Sequence, residues 1–152
     1  MSTLVVDASV AVKWVVEEAG TAAALALRQA ARLIAPDLIA AECANILWKK
    51  IQRGELSPEE GFLAARLLYS ADIEMVPTRS LMEAATRPAV ALDHPAYDCL
   101  YLALAADRGC RFVTADERLL RKAGRTGDGR LAGLLSPLMS PSPESAQGCR
   151  DG

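Results

Sequence analysis

Thr3-Leu4-Val5-Val6-Asp7 opens the chain with a short apolar run, rich in β-branched residues, that ends on an aspartate. It lacks the polar–apolar alternation of a half-exposed strand and so reads as a strand buried on both faces, as in a parallel sheet. Related runs recur at Leu33-Ile34-Ala35 before Pro36, at residues 73–76 and at Arg111-Phe112-Val113-Thr114, with helical patterns between them. Strands alternating with helices imply an α/β fold in three layers, a mostly parallel central sheet flanked by helices.

The intervening segments carry their own boundaries. Ser9 stands where it would cap a helix to residue 16, and Gly20-Thr21 opens a second, alanine-rich helix to about residue 32. A helix over 37–53 has apolar residues at Leu38, Ala41, Ala44, Ile46, Leu47 and Ile51 and stops at Gly54. Ser57-Pro58-Glu59-Glu60 is a capping box with proline at the first helical position, starting a helix to about residue 70. Further helices are expected over 80–91 and over 95–108, the latter apolar almost all round and therefore buried, and a short basic one over 117–122. Residues 131–135 read as a last edge strand. One domain spans 1–138. Beyond it the sequence turns to Ser, Pro, Gly and Gln, so 139–152 is expected to be a disordered tail.

A chain of 152 residues that is 51% hydrophobic can bury a core without disulfides or structural metal. The four cysteines form no CxxC pair and His94 is the sole histidine, which argues against a zinc cluster. No apolar stretch is long enough to span a membrane and no signal peptide is visible, so a cytoplasmic setting is expected. A net charge of −2 argues against nucleic-acid binding through the whole surface, but leaves room for a local basic patch.

Ligand crevices of open parallel sheets lie outside the carboxyl ends of the strands, which is where Asp7 and Asp116 emerge. Either aspartate alone would also serve as a helix cap. Glu42 has no cation one helical turn away, and Asp98 stands within an otherwise apolar helix, where an unpaired charge is costly unless the helix dipole offsets it. If these carboxylates converge they repel one another, and a hard divalent cation such as Mg²⁺ or Mn²⁺ resolves the conflict in a way suited to phosphate chemistry.

Val5-Val6-Asp7-Ala8-Ser9-Val10, Ala35-Pro36-Asp37-Leu38 leading to Glu42 and Asn45, His94-Pro95-Ala96-Tyr97-Asp98-Cys99-Leu100-Tyr101-Leu102-Ala103, and Val113-Thr114-Ala115-Asp116 together resemble a bacterial PIN domain, in particular the VapC toxins of toxin–antitoxin pairs. The similarity covers roughly residues 3–135. It implies a Mg²⁺- or Mn²⁺-dependent endoribonuclease, usually homodimeric, with Asp7, Glu42, Asp98 and Asp116 as the acidic metal site. Thr114 and Ser9 would support that site, and a small VapB-like antitoxin would wrap the helices near Glu42. Asp93 and the long polar tail depart from the plainest family pattern; Asp93 reads as a turn residue rather than a metal contact.

Candidates for RNA phosphate contacts are Lys13, Lys49, Lys50 and Arg53 on one side and Arg118, Arg121 and Lys122 on the other. Trp14 and Trp48 suit core or dimer contacts better than base stacking. A non-catalytic PIN scaffold that binds RNA or protein is the competing reading. A phosphatase or receiver domain fits less well, because Asp7-Ala8-Ser9 lacks a second acid.

Overall fold

The opening run forms β1 (Ser2–Val6), whose last two residues are fully buried. Around it a computed structural model, describing residues 1–125, 127 and 129–138, arranges β2 (Ala31–Pro36), β3 (Glu74–Val76), β4 (Arg111–Thr114) and β5 (Leu135–Pro137). The five strands lie in the order β3-β2-β1-β4-β5, and every pairing is parallel. The expected mostly parallel sheet is thus entirely parallel. The tail expected over 139–152 lies outside the described residues.

Helices α1 (Ala8–Ala11), α2 (Thr21–Ala30), α3 (Leu38–Gln52), α4 (Pro58–Tyr69), α5 (Met82–Leu92), α6 (Ala96–Arg108), α7 (Glu117–Arg125) and α8 (Gly129–Leu134) flank the sheet. The α6 helix is buried from Cys99 to Ala105, and Tyr101 stacks on Phe112 of β4 with ring centroids 5.3 Å apart. At α4 the capping box forms: Glu60 N–H donates to Ser57 Oγ and Ser57 N–H to Glu60 Oε1. A Cβ on Gly61 in that helix would stand 2.4 Å from Ile51 Cδ1, so α4 lies close on α3 here and a larger residue would require Ile51 to turn aside.

Four local expectations change. Asp7, not Ser9, caps α1, accepting from Val10 N–H, because it is the single residue between the end of β1 at Val6 and the start of the helix at Ala8. That helix tightens into a 3₁₀ turn over Val12–Trp14. At the second helix, Ala31 and Arg32 belong to β2, where pairing with Ser2 and Thr3 overrides their helical preference. Near the end, the expected strand over 131–135 is mostly helix α8, with β5 starting only at Leu135.

No helix among the described residues is long and apolar enough to cross a membrane.

Candidate active site

Asp7 follows β1 directly and Asp116 stands just beyond β4; since Val6 pairs with Val113, both leave the sheet at the same, C-terminal edge. Asp7 is only 6% exposed. Its Oδ1 accepts from Ser9 Oγ at 2.5 Å and from Val10 N–H at 3.2 Å, and its Oδ2 from Thr114 Oγ1 at 2.5 Å. Each hydroxyl also receives a bond from the β4 end: Ala115 N–H donates to Ser9 Oγ and Asp116 N–H to Thr114 Oγ1. Asp7, Ser9, Thr114 and Asp116 therefore form one network that ties the ends of the two central strands together. Asp116 uses Oδ1 to cap α7, accepting from Arg118 and Leu119 N–H.

The other two acids come from helices above this edge. Glu42, half-buried on α3, accepts from the Tyr101 hydroxyl at 2.5 Å. Asp98 lies in the first turn of α6, with Oδ2 2.5 Å from His94 Nε2. His94 Nδ1 is buried without a partner among the described residues, so the ring hydrogen belongs on Nε2; on Nδ1 it would be a buried N–H with nothing to donate to.

Electrostatics show that the acids feel one another. Burial raises the Asp7 carboxyl from 3.8 to about 6 against the pull of Ser9, Thr114 and Val10, and the charge of Asp98 adds to the rise. Glu42 is raised chiefly by burial; the Tyr101 bond opposes this, while Asp98, Asp7 and Asp116 all push it further up. Among the described residues none of the four is ion-paired with lysine or arginine. Hard oxygen donors with mutual repulsion and no cation suit a hard divalent ion. No three acid, imidazole or thiol groups among the described residues already stand closely enough to hold one ion; the carboxylates are instead satisfied by hydroxyl, imidazole and amide donors. The residues fit such an ion in chemistry, with side-chain rotation needed to close on it.

The remaining candidates are dispersed. Lys49 is exposed in a groove of about 450 Å³ that Glu42 and Asp98 also line. Arg118 and Arg121 are exposed on α7, immediately beyond Asp116. Lys13 and Lys50 are both held by Glu18, at 3.0 and 2.5 Å. Lys122 donates to the carbonyl of Asp93, which caps α5 with φ of 50°, a turn role. Trp14 is core, donating to the Ala24 carbonyl, whereas Trp48 is 55% exposed.

Two partners went unassigned in the sequence. Tyr101 lies three residues after Asp98, so both project from neighbouring positions on α6, and His94 precedes Asp98 by four. Those spacings are the signal that links them to the site; that Tyr101 meets Glu42, 59 positions away, is a tertiary fact.

Comparison with known proteins follows the same outline. The PIN domain family matches residues 4–125. Ribonuclease VapC3 of Pyrobaculum aerophilum is 37% identical over 123 residues, covering 78% of this chain and 93% of that protein. The crystal structure of PAE2754 from Pyrobaculum aerophilum superposes with a TM-score of 0.59 at 24% identity, over 80% of this chain and 86% of that one, a likeness of fold.

Proposed function

The chain belongs to the PIN-domain family, and from that membership we propose that it is a VapC-type, Mg²⁺- or Mn²⁺-dependent endoribonuclease, the toxin of a toxin–antitoxin pair. The observation that carries this reading is that Asp7, Glu42, Asp98 and Asp116 share one electrostatic field with no lysine or arginine paired to any of them among the described residues. Capping accounts for one oxygen each of Asp7 and Asp116, but a cap gives no reason for burying Asp7 or for setting Glu42 in the field of three other acids.

Asp7, Asp98 and Asp116 would hold the cation, with Glu42 beside them. Bound there, a divalent ion supplies Lewis-acid polarisation of the scissile phosphate and acidifies the attacking water. Ser9 and Thr114 hold Asp7 in one rotamer, so this acid would be the fixed point on which the others close by side-chain rotation. Tyr101 tethers Glu42 by Oε1 and leaves Oε2 to accept a proton from the attacking water; the raised proton affinity of this carboxyl suits that role. His94 orients Asp98 in the same way. Lys49, Arg118 and Arg121 flank the acids and would position the RNA backbone.

A VapB-like antitoxin is the partner this reading calls for, in a cytoplasmic setting, with the enzyme acting as a homodimer. The test is cleavage of total RNA by purified, antitoxin-free protein with Mg²⁺, Mn²⁺ or EDTA, beside Asp98→Asn. Metal-dependent cutting that the substitution abolishes is expected. RNA binding without cutting under every condition would replace the enzyme with a non-catalytic scaffold.

A further inference from the structure

On α3, Leu38, Ala41, Glu42, Asn45, Ile46 and Lys49 follow one another at spacings of three and one, a single stripe along the helix. The buried face of that helix is a different one, formed by Ile39, Cys43 and Leu47. The stripe instead forms one wall of the groove of about 450 Å³ whose other wall is the start of α6, with Pro95, Tyr97 and Asp98. The groove thus runs from two of the site acids, Glu42 and Asp98, to a cation, Lys49. Its volume lies in the range of roughly 300–1,000 Å³ typical of small-ligand clefts.

Between those ends the lining is uncharged. Tyr97 is 65% exposed, a large aromatic ring left in solvent beside a charged site, and Asn45 is exposed opposite it. Ile46 and Pro95 supply apolar surface, Asn45 an amide that both donates and accepts, and Lys49 a point charge. That sequence of chemistries matches a nucleotide of single-stranded RNA: a flat base for the ring, a base edge for the amide, and a phosphate for the ammonium, one step away from the acids.

Resting on the nuclease reading above, we infer that this groove seats an unpaired nucleotide next to the scissile bond, with Tyr97 as its stacking platform, Asn45 facing the base edge and Lys49 the adjoining phosphate. Phosphate is repelled from the Glu42 and Asp98 end unless a cation is there, so the base, not the backbone, fills the uncharged stretch.

The experiment measures binding of a short single-stranded oligoribonucleotide bearing a fluorescent adenine analogue, with Mn²⁺, to the full chain carrying Asp116→Asn to suppress cleavage. Onto this parent are placed Tyr97→Ala, Tyr97→Phe and Asn45→Ala, all at exposed positions. Stacking predicts that Tyr97→Ala weakens binding about tenfold and removes the quenching of the analogue, whereas Tyr97→Phe retains both. Parental binding and quenching by Tyr97→Ala, while the wild-type chain still cuts RNA, would overturn the groove and leave the nuclease standing. A wild-type chain that neither binds nor cuts single-stranded RNA would remove the nuclease reading and this one with it. A change of oligomeric mass in Tyr97→Ala without a change in RNA binding would overturn the assignment in favour of a contact between copies.

Discussion

The Tyr101 hydroxyl, at the end of a ring stacked on Phe112 in the core, donates to Glu42 Oε1 at 2.5 Å. A rigid, fully buried side chain thereby fixes a half-buried carboxylate that has three other acids as electrostatic neighbours. Tyr101→Phe keeps the stacking and removes only the tether, at a stability cost of about 1–2 kcal/mol. It also removes what draws the Glu42 carboxyl down, so this group takes its proton at higher pH. The expected results are weaker Mn²⁺ binding by calorimetry and an acid limb of the activity profile displaced to higher pH. Unchanged metal affinity and an unmoved acid limb would make Tyr101 a core residue and nothing more.

Asp7 makes the metal-free protein sensitive to pH. Its carboxyl is raised from 3.8 to about 6, so the folded state binds this proton more tightly than the unfolded state does. The contribution to stability is complete below about pH 4 and is lost as pH rises through about 6. At about 1.4 kcal/mol per tenfold change in proton affinity, the loss at neutral pH is roughly 3 kcal/mol. Asp7→Asn preserves an oxygen for Ser9 and Val10 and presents an amide to Thr114 Oγ1, which can accept. Urea titrations should therefore find the variant more stable than wild type at pH 7 and equal to it near pH 4, with Mn²⁺ stabilising only the wild type. A variant less stable at neutral pH would contradict this.

How far the sequence disclosed these relationships depended on their range. The apolar run before Asp7, the Ser57 capping box and the buried α6 were legible because their signals are local: composition, caps and period. The residues 131–135 misled because a short apolar segment has no period to decide between helix and strand, and pairing with β4 began only at Leu135. At the site, the acids stood out as charges without local partners, and the resemblance pointed to Ser9 and Thr114 beside them, but Tyr101 and His94 were not assigned as donors. Tyr101 lies 59 positions from the carboxylate it holds, and a tyrosine in an apolar run looks like ordinary core.

Thr114 is fully buried, donates to Asp7 Oδ2 and accepts from Asp116 N–H. Thr114→Val fills the same space but orphans both groups, and should cost about 2–3 kcal/mol in thermal or urea unfolding. Thr114→Ser keeps the hydroxyl and should cost less than about 1 kcal/mol, the value of a buried methyl. Equal losses in the two variants would assign the effect to packing rather than to the network.

Asp116 separates a cap from a catalytic acid. Its Oδ1 accepts from Arg118 and Leu119 N–H, a service that asparagine performs equally well. Asp116→Asn is therefore expected to unfold within about 0.5 kcal/mol of wild type while RNA cleavage is lost. Asp116→Ala should lose about 1 kcal/mol together with the activity. An Asp116→Asn protein that cuts RNA at the wild-type rate would reduce this residue to its structural role.

Arg118 and Arg121 project from α7 just past Asp116, whereas Arg32 lies near the start of β2, at the opposite edge of the sheet, and is held by Glu74 at 2.6 Å. If the α7 arginines each meet one phosphate of a single strand, every contact releases counterions and contributes about 0.7 to the slope of log affinity against log salt. Replacing both with alanine should lower that slope by about 1.4 and weaken binding of all single-stranded sequences alike, since phosphates carry no base information. Arg32→Ala should leave the slope where it is. A double variant with the wild-type slope would move the path of the RNA backbone off α7, toward Lys49 and the α3 side of the acids.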